Sequence, residues 1–458
     1  MTVADYLAAQ LAESHRAYIE RNPKSRIAYE NSFAYLPGGN TRTVIHADPF
    51  PLTFASGEGS TLTSVDGHKY VDLLGEFSAG IFGHSNPRIA NAITDAMTRG
   101  WNYGGTCTYE KELASKVCER FGPSGLQLVR FTNSGTEANT MAIATAQNVT
   151  GKKKILVFSS GYHGGTLVFP LAVMKGETVA PMNLPHDFVY APYNNISETR
   201  EILDHLPQDS LAAILVEPIQ GSGGCRPADR RFLNFLRTEA DERKALLIMD
   251  EVMASRLGYS GYSAEMNIRA DIMTLGKYLG GGMTIGAFGG RRDIMELFDP
   301  TKSKLFHPGT YNNNVFSMAA GITGLDIYDA SEVDRLNNLG EKLKTDIQAI
   351  LMNHGLYPDS YRSPAAGLME IDSLLTGTEG YIDDHSDKLI QLPSMFVTGR
   401  GTASQWQALF YHHMLERNIN IAVRGYTPLH LQVSASDCKA YVESIEAFVI
   451  KHKAMLTS

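Results

Sequence analysis

Lys277 stands in the stretch ADIMTLGKYLGGGMTIGAFGG, residues 270–290, with an apolar run in front of it and a glycine run behind. An amine in that position is half-enclosed, and partial burial lowers its pKa so that its neutral form can attack a carbonyl and make a Schiff base. A lone lysine is more often a solvated surface group. The glycines at 280, 281 and 282 argue otherwise, since three in a row beside a strand point to close backbone approach. Asp250 precedes Lys277 by 27 residues, about one helix and one strand, and follows the apolar run ALLIM. A carboxylate just past a buried strand is costly unless it meets a cation. A protonated heterocyclic nitrogen would satisfy it, and a helix cap or a salt bridge to an arginine are the plainer alternatives. The spacing predicts that Asp250 and Lys277 end two strands joined by one helical connection and point into one crevice.

The segment FTNSGTEANTMAIA adds a second kind of chemistry. Ser134 and Glu137 have the spacing of a capping box, and Ala138, Met141, Ala142 and Ala146 follow on one helical face. The N–H groups of such a helix start, beside the small Gly135 and Thr136, suit a phosphate, although the same pattern is also that of a plain cap. Tyr162, in GYHGG, is placed either to lay its ring on a flat group or to cover a strand end, and His163 reads as a second polar contact or, the favoured reading, a turn histidine. One group accounts for all of these features. Pyridoxal 5′-phosphate asks for an amine at its aldehyde, a helix end at its phosphate, an acid at its pyridine nitrogen and a stacking partner for its ring.

Such residues need a frame that gathers strand ends. From about residue 60 the runs KYVDLL, LQLVRFT, KKILVFSS, LAAILVEP, ALLIMDE, DIMTLG and IGAFGG alternate with helix-length segments. Continuous Val, Ile and Leu runs mark strands covered on both faces, which predicts an α/β domain with a mostly parallel sheet and its ligand outside the strands' carboxyl ends. The clusters TNSGTEA, SSGYHGG, EPIQGSGG, MDEV and LGK fall at such ends. A long helical stretch, roughly 315–355, a Gly, Asp and Thr-rich segment around 371–403, and a closing helix after the candidate caps Ser434 and Ser436 suggest a smaller α+β unit. The expected division is 1–60 packing with the small domain or across a subunit contact, 61–330 as the large cofactor-binding domain, and 331–458 as the small domain.

The totals narrow the function further. With 458 residues, 43% hydrophobic and 20% charged, the chain has the composition of an ordinary globular protein with a large core. A net charge of −8 sets up no field for a polyanion, so nucleic acid is not an expected partner. The four cysteines form no CxxC pair and no zinc-type spacing with histidine, which suggests reduced thiols, no metal and a cytoplasmic setting. No apolar run reaches about 18 residues, so no membrane span is expected. The N-terminus reads as an amphipathic helix ending before Pro23 rather than a signal peptide. Residues 276–290 contain neither GxGxxG nor GxxxxGK[ST], which argues against a nucleotide-binding protein.

SGTEA, GYHGG, DEV, LGKYLGGG and GTYNNN resemble the motifs of the class III aminotransferases of fold type I, the aspartate aminotransferase-like fold, across about residues 30–450. Within that class LPGGNTRTV, FTNSGTEAN, FGGRRDIMELFDP and GTYNNNVFSMAAG are most similar to the β-phenylalanine aminotransferases and, more distantly, to glutamate-1-semialdehyde aminomutase. The resemblance implies a homodimer with its active site at the subunit interface. It implies Lys277 as the Schiff-base lysine, Asp250 as partner of the pyridine nitrogen, Val252 and Tyr162 on the two ring faces, and Ser134, Gly135 and Thr136 as the phosphate loop. Thr310 would reach the phosphate from the neighbouring subunit, and Glu217 and Gln220, in VEPIQG, would line the cofactor and substrate pocket. Arg42, in NTRTV, and Arg424, in AVRGY, match positions that hold substrate carboxylates, a task suited to a guanidinium fork. Without the match each reads as a surface ion-pair residue. The segment MEIDSLLTGTEGYIDDHSDKLIQLPSMFVTGRGTASQ departs from the family pattern and is longer than expected.

The expected activity is transamination: a pyridoxal-phosphate enzyme moves an amino group from an amino acid, with a β-amino acid expected, to a 2-oxo acid such as 2-oxoglutarate or pyruvate in a ping-pong cycle. The same residues would serve an aminomutase that returns the amine to its own carbon skeleton, or an amine transaminase with no carboxylate requirement. A silent relative kept for binding would be expected to lack Lys277 or Asp250, and both are present.

Overall fold

A computed structural model describes residues 2–170, 182–302, 305–356, 395–397 and 405–456. The chain divides into two units, one of residues 87–335 and one of residues 1–86 with 336–458.

The 87–335 unit is built on a seven-stranded sheet in the order Leu128–Thr132, Gly286–Gly290, Ile272–Gly276, Leu246–Asp250, Leu211–Val216, Lys154–Phe158 and Asp187–Ala191. Pairing is parallel except that Gly286–Gly290 runs antiparallel to both its neighbours. Every residue of Leu211–Val216, Leu246–Asp250 and Ile272–Gly276 is buried, as expected of strands covered on both faces. Helix Gly135–Thr150 packs Ala138, Ala142, Ile143 and Ala146 into one core with Ile155, Val157, Ile248 and Ile272. Phe158, which follows Val157 and so points to the other face, meets Phe232 of helix Arg230–Glu242 at 5.3 Å between ring centroids. Helix Val315–Ile327 is apolar nearly all round and is accordingly buried, packed against helices Pro87–Thr98 and Thr108–Phe121 and against the turn Lys277–Gly280.

The other unit has a four-stranded sheet in the order Phe54–Glu58, Thr61–Ser64, Lys69–Asp72 and Ile419–Asn420, of which only the last pair is parallel. Helix Val3–Arg21 stops at Asn22, and Pro23 opens the next helix, Pro23–Ser32, where its missing N–H is no loss. Helices Gln405–Glu416 and Ala435–Leu456 bring Trp406, Phe410 and Phe448 into the core. Ser434 is the cap of the last helix, its Oγ accepting from Asp437 N at 3.1 Å, while Ser436 Oγ only reaches Ser434 Oγ.

Three features differ from the sequence reading. KYVDLL is no strand of the large sheet, because Lys69–Asp72 pairs with Thr61–Ser64 and Ile419–Asn420, and residues 61–86 go with the terminal unit rather than with the large one. Asp187–Ala191 was not expected; as a half-exposed edge strand it lacks the continuous apolar run that marks the buried ones. The helical stretch expected over 315–355 is two helices, Val315–Ile327 and Ala330–Asn353. The unusual segment around 371–403 lies outside the described residues apart from the strand Met395–Val397.

Among its described residues the terminal unit buries His412, His413, His430 and His452, and three of these are held below the ordinary histidine pKa. His412 Nε2 lies 2.9 Å from the Asp48 carbonyl, His413 Nε2 2.9 Å from the Ser444 carbonyl and His452 Nδ1 2.8 Å from the Tyr6 hydroxyl. Burial lowers all three to about 4, and the neighbouring His15, Arg417 and Lys451 add to the effect. Below about pH 6.5, the ordinary histidine pKa, the unfolded chain takes up protons that the folded unit refuses, so stability is lost as pH falls from there toward about 4. The urea midpoint is expected to fall steadily between about pH 7 and pH 5; a flat profile there would contradict the burial of neutral imidazoles.

Candidate active site

Asp250 ends its strand between two parallel neighbours and is 4% exposed. An ionised carboxylate at that depth needs donors, and it has three. Asn139 Nδ2 and His163 Nδ1 each donate to Oδ2 at 2.8 Å, and the Val252 N–H donates to Oδ1 at 3.0 Å. Asn139 is fixed in turn: its Oδ1 accepts from Thr274 Oγ1 at 2.8 Å, and its Nδ2 also reaches the His163 carbonyl at 3.1 Å. A carboxylate offers about four lone-pair positions, so three accepted bonds leave room for one more donor. Sequence reasoning missed Asn139 and assigned His163 to a turn. The available signal was a polar Asn139 beside Ala138 on the buried face of an apolar helix.

Ser134 caps helix Gly135–Thr150, its Oγ accepting from Glu137 N at 3.2 Å, a cap worth about 1 kcal/mol. The expected reciprocal bond is displaced by one residue, since Glu137 Oε2 accepts from the Asn133 N–H at 2.8 Å. Gly135 and Thr136 form the first turn, where backbone N–H groups have no partner within the helix. Val252 packs directly on Gly135. Thr136 is backed by Gly164, whose φ of +122° suits glycine alone and where a Cβ would sit 2.2 Å from Thr136 Oγ1.

Lys277 opens the 3₁₀ turn that follows strand Ile272–Gly276, half-buried and with φ at +53°. The glycine run has the cause expected of it at Gly281, where φ is +62° and a Cβ would be 2.3 Å from the Ala320 carbonyl oxygen of the buried helix. Asp250 and Lys277 do end adjacent strands. The connection between those strands, however, is a 3₁₀ turn, Ala254–Leu257, and a four-residue helix, Tyr262–Glu265, rather than one long helix. Glu251, fully buried, ties it down by accepting from the N–H groups of Tyr262 at 3.0 Å and Ser263 at 2.5 Å.

Tyr162 lies in the short pairing of Gly161–Tyr162 with Val168–Phe169, 44% exposed. Its N–H donates to Glu217 Oε1 at 2.8 Å, and Gly221 N donates to Oε2 at 3.0 Å. Burial raises the Glu217 carboxyl above the usual range, opposed by His163 and reinforced by the charge of Asp250. Gln220 donates from Nε2 to the Ser159 carbonyl at 2.7 Å and keeps a buried Oε1 with no hydrogen-bond partner among the described residues. Thr310 is exposed and lines a cavity of about 440 Å³ with Tyr103, Cys107 and Asn313; nearby, Asn312 Oδ1 accepts from Asn133 Nδ2 at 3.2 Å.

Arg42 and Arg424 belong to the terminal unit. Arg42 pairs with Glu76 through Nη1, and its guanidinium lies 5.3 Å from the Phe77 ring centroid. Arg424 is exposed in the turn before strand Tyr426–Pro428. Among the described residues no cluster of three or more histidine, cysteine or acidic side chains suits a metal, and no helix is long and apolar enough to cross a membrane.

The profile of the aminotransferase class-III family matches residues 44–369. The chain is a class III aminotransferase. It is 41% identical to the β-phenylalanine transaminase of Variovorax paradoxus over 450 residues, 97% of each chain. It is 36% identical to a glutamate-1-semialdehyde 2,1-aminomutase of Nitratidesulfovibrio vulgaris over 347 residues, 73% of this chain and 80% of the relative. Among solved structures, the β-phenylalanine aminotransferase of Variovorax paradoxus superposes with a TM-score of 0.86 at 38% identity, covering 98% of both chains. A transaminase with pyridoxal phosphate bound gives 0.80 at 27%, covering 95% and 99%. The fold is that of the fold type I transaminases, and the cofactor of this class III aminotransferase is pyridoxal 5′-phosphate. It transfers an amino group from an amino donor to an oxo-acid acceptor.

Gly164→Ala in this aminotransferase is expected to push Thr136 and the start of its helix outward, weakening retention of pyridoxal phosphate by about 5- to 150-fold, as a strain of 1–3 kcal/mol implies. Equilibrium dialysis measures this, and unchanged retention would remove Gly164 from the support of that loop.

Proposed function

We propose that this aminotransferase takes a β-amino acid as donor and a 2-oxo acid, 2-oxoglutarate or pyruvate, as acceptor in a ping-pong cycle. The reading of the reaction centre is carried by Asp250, a buried carboxylate with three fixed donors and room for one more, at the end of the strand beside the one that leads into Lys277. The donor class is supported by the end-to-end similarity to a β-phenylalanine transaminase.

When bound, pyridoxal phosphate supplies an aldehyde for the amine and a ring that spreads the carbanion's charge. Lys277 Nζ would hold the cofactor's aldehyde and, when free, would serve as the base that moves the proton from the donor's amine-bearing carbon. The carboxylate of Asp250 keeps the pyridine nitrogen protonated. Ser134, Gly135 and Thr136 bind the phosphate at a helix start, aided by Thr310 from the second subunit of a homodimer. Tyr162 and Val252 cover the two ring faces. The Oε1 of Gln220, without a hydrogen-bond partner among the described residues, supports a role as acceptor in the pocket, with Glu217 bracing the adjoining turns. Arg42 and Arg424 hold substrate carboxylates. A homodimer is supported by the exposure of Trp101, Tyr103, Phe306 and Tyr311, and the cell compartment proposed is the cytoplasm.

Two experiments test this. Lys277→Ala is expected to keep measurable cofactor binding and lose turnover entirely, and near-normal turnover would refute the role of Lys277. With the wild type, the cofactor's yellow absorbance is expected to bleach with β-phenylalanine and other β-amino acids in the absence of acceptor. Bleaching by arylalkyl amines alone would overturn the donor class, and turnover of one amino compound with no added oxo acid would mark an aminomutase.

A further inference from the structure

Arg42 is already paired. Its Nη1 meets Glu76 Oε1, and its guanidinium lies over the Phe77 ring, which itself stacks on Tyr426 with the planes 12° apart and the centroids 6.3 Å apart. Glu76 and Phe77 are presented in an uncommon way. Gly75, Glu76, Phe77 and Ser78 have φ of +48°, +48°, +53° and +76°, a left-handed turn of four residues of which three are not glycine. Side chains other than glycine rarely adopt that backbone, so the surroundings must enforce it. Asp72, 2% exposed, does so: its Oδ1 accepts from the N–H groups of Leu74 at 2.9 Å and Gly75 at 3.4 Å and from Asn420 Nδ2 at 3.0 Å, while His84 Nε2 meets Oδ2 at 2.9 Å. The strained turn thus fixes a carboxylate and an aromatic ring against the same guanidinium.

We infer that Glu76 is a specificity-determining residue, an internal carboxylate that occupies and neutralises Arg42 until a substrate carboxylate competes for it. The inference rests on the proposed role of Arg42 in carboxylate recognition. Glu76 reaches Arg42 through a single nitrogen, whereas a substrate carboxylate can take two parallel N–H bonds from the fork. The bidentate ligand therefore has the advantage over the internal one. While Glu76 is engaged, the guanidinium's charge is offset and the Phe77 ring covers part of its face, so a substrate without a carboxylate meets a less polar surface. Pairs this exposed, 42% and 60% for the two side chains, are worth little, which suits a contact that must give way on each turnover.

The test uses the cofactor-loaded enzyme and two ligand sets. The first is 3-phenylpropanoate, which carries the carboxylate and lacks the amine, measured as a dissociation constant by calorimetry. The second is the KM of β-phenylalanine against that of 1-phenylethylamine, the same arylalkyl amine without the carboxylate arm. Glu76→Gln keeps an oxygen for Arg42 and removes the charge. It is expected to tighten 3-phenylpropanoate about two- to fivefold and to lower the KM ratio of β-phenylalanine to 1-phenylethylamine by a similar factor. Glu76→Asn, which tolerates the left-handed backbone, gives a second variant and should move both in the same direction. Unchanged or weaker binding of 3-phenylpropanoate in both variants, while Arg42→Ala weakens it at least about tenfold, would overturn the role of Glu76 and leave that of Arg42 standing. If Arg42→Ala has no effect, the reading of Arg42 fails and the inference with it.

Discussion

The carboxylate of Asp250 is a charge that this protein buries, and burial of an ion costs several kcal/mol unless hydrogen bonds replace its lost water. Its three donors come from three different pieces of chain: Asn139 from helix Gly135–Thr150, His163 from the turn after Tyr162, and the Val252 N–H from its own connection. Satisfying that one carboxylate therefore fixes the helix, the turn and the connection with respect to the strand end. Thr274 extends the arrangement to the next strand through Asn139, and that strand leads into Lys277. Displacing any donor would leave a buried anion short of a partner, so positioning and stability are enforced by the same bonds.

Local strain marks both places where chemistry is proposed. Lys277 holds a left-handed backbone, as do Glu76, Phe77 and Ser78, at about 1–2 kcal/mol per residue. In each unit the strain is over-determined by packing. The Lys277 turn is pressed by a helix that passes so close that Gly281 has no room for a side chain. The Gly75–Ser78 turn is tied to Asp72, whose carboxylate is buried and fully engaged. Relaxing either turn would release strain and lose the orientation of the side chain it presents.

Much of the 87–335 unit was legible in the chain itself. Leu211–Val216, Leu246–Asp250 and Ile272–Gly276 announce themselves as continuous apolar runs, and a strand buried on both faces has no other local signature. The apolar run before Lys277, its glycines and the 27-residue step from Asp250 are likewise local features, as is the cap at Ser134. What local pattern could not supply was the choice of partner. Asn139 and His163 are 111 and 87 residues from Asp250, and Glu76 is 34 from Arg42. Asn420 is 348 residues from Asp72, and the same pairing moved Lys69–Asp72 out of the large sheet.

Periodicity and composition report which side chains leave water, because burial is a property each short segment needs for itself. They determined that this chain forms a doubly covered sheet with an amine, an acid and a helix start at its strand ends. Which buried polar group meets which donor depends on closing loops of tens to hundreds of residues, and a segment's own sequence carries no record of what arrives on the far side. The tertiary structure alone decided that Asp250 is held by an asparagine and a histidine, and that Arg42 has a carboxylate of its own.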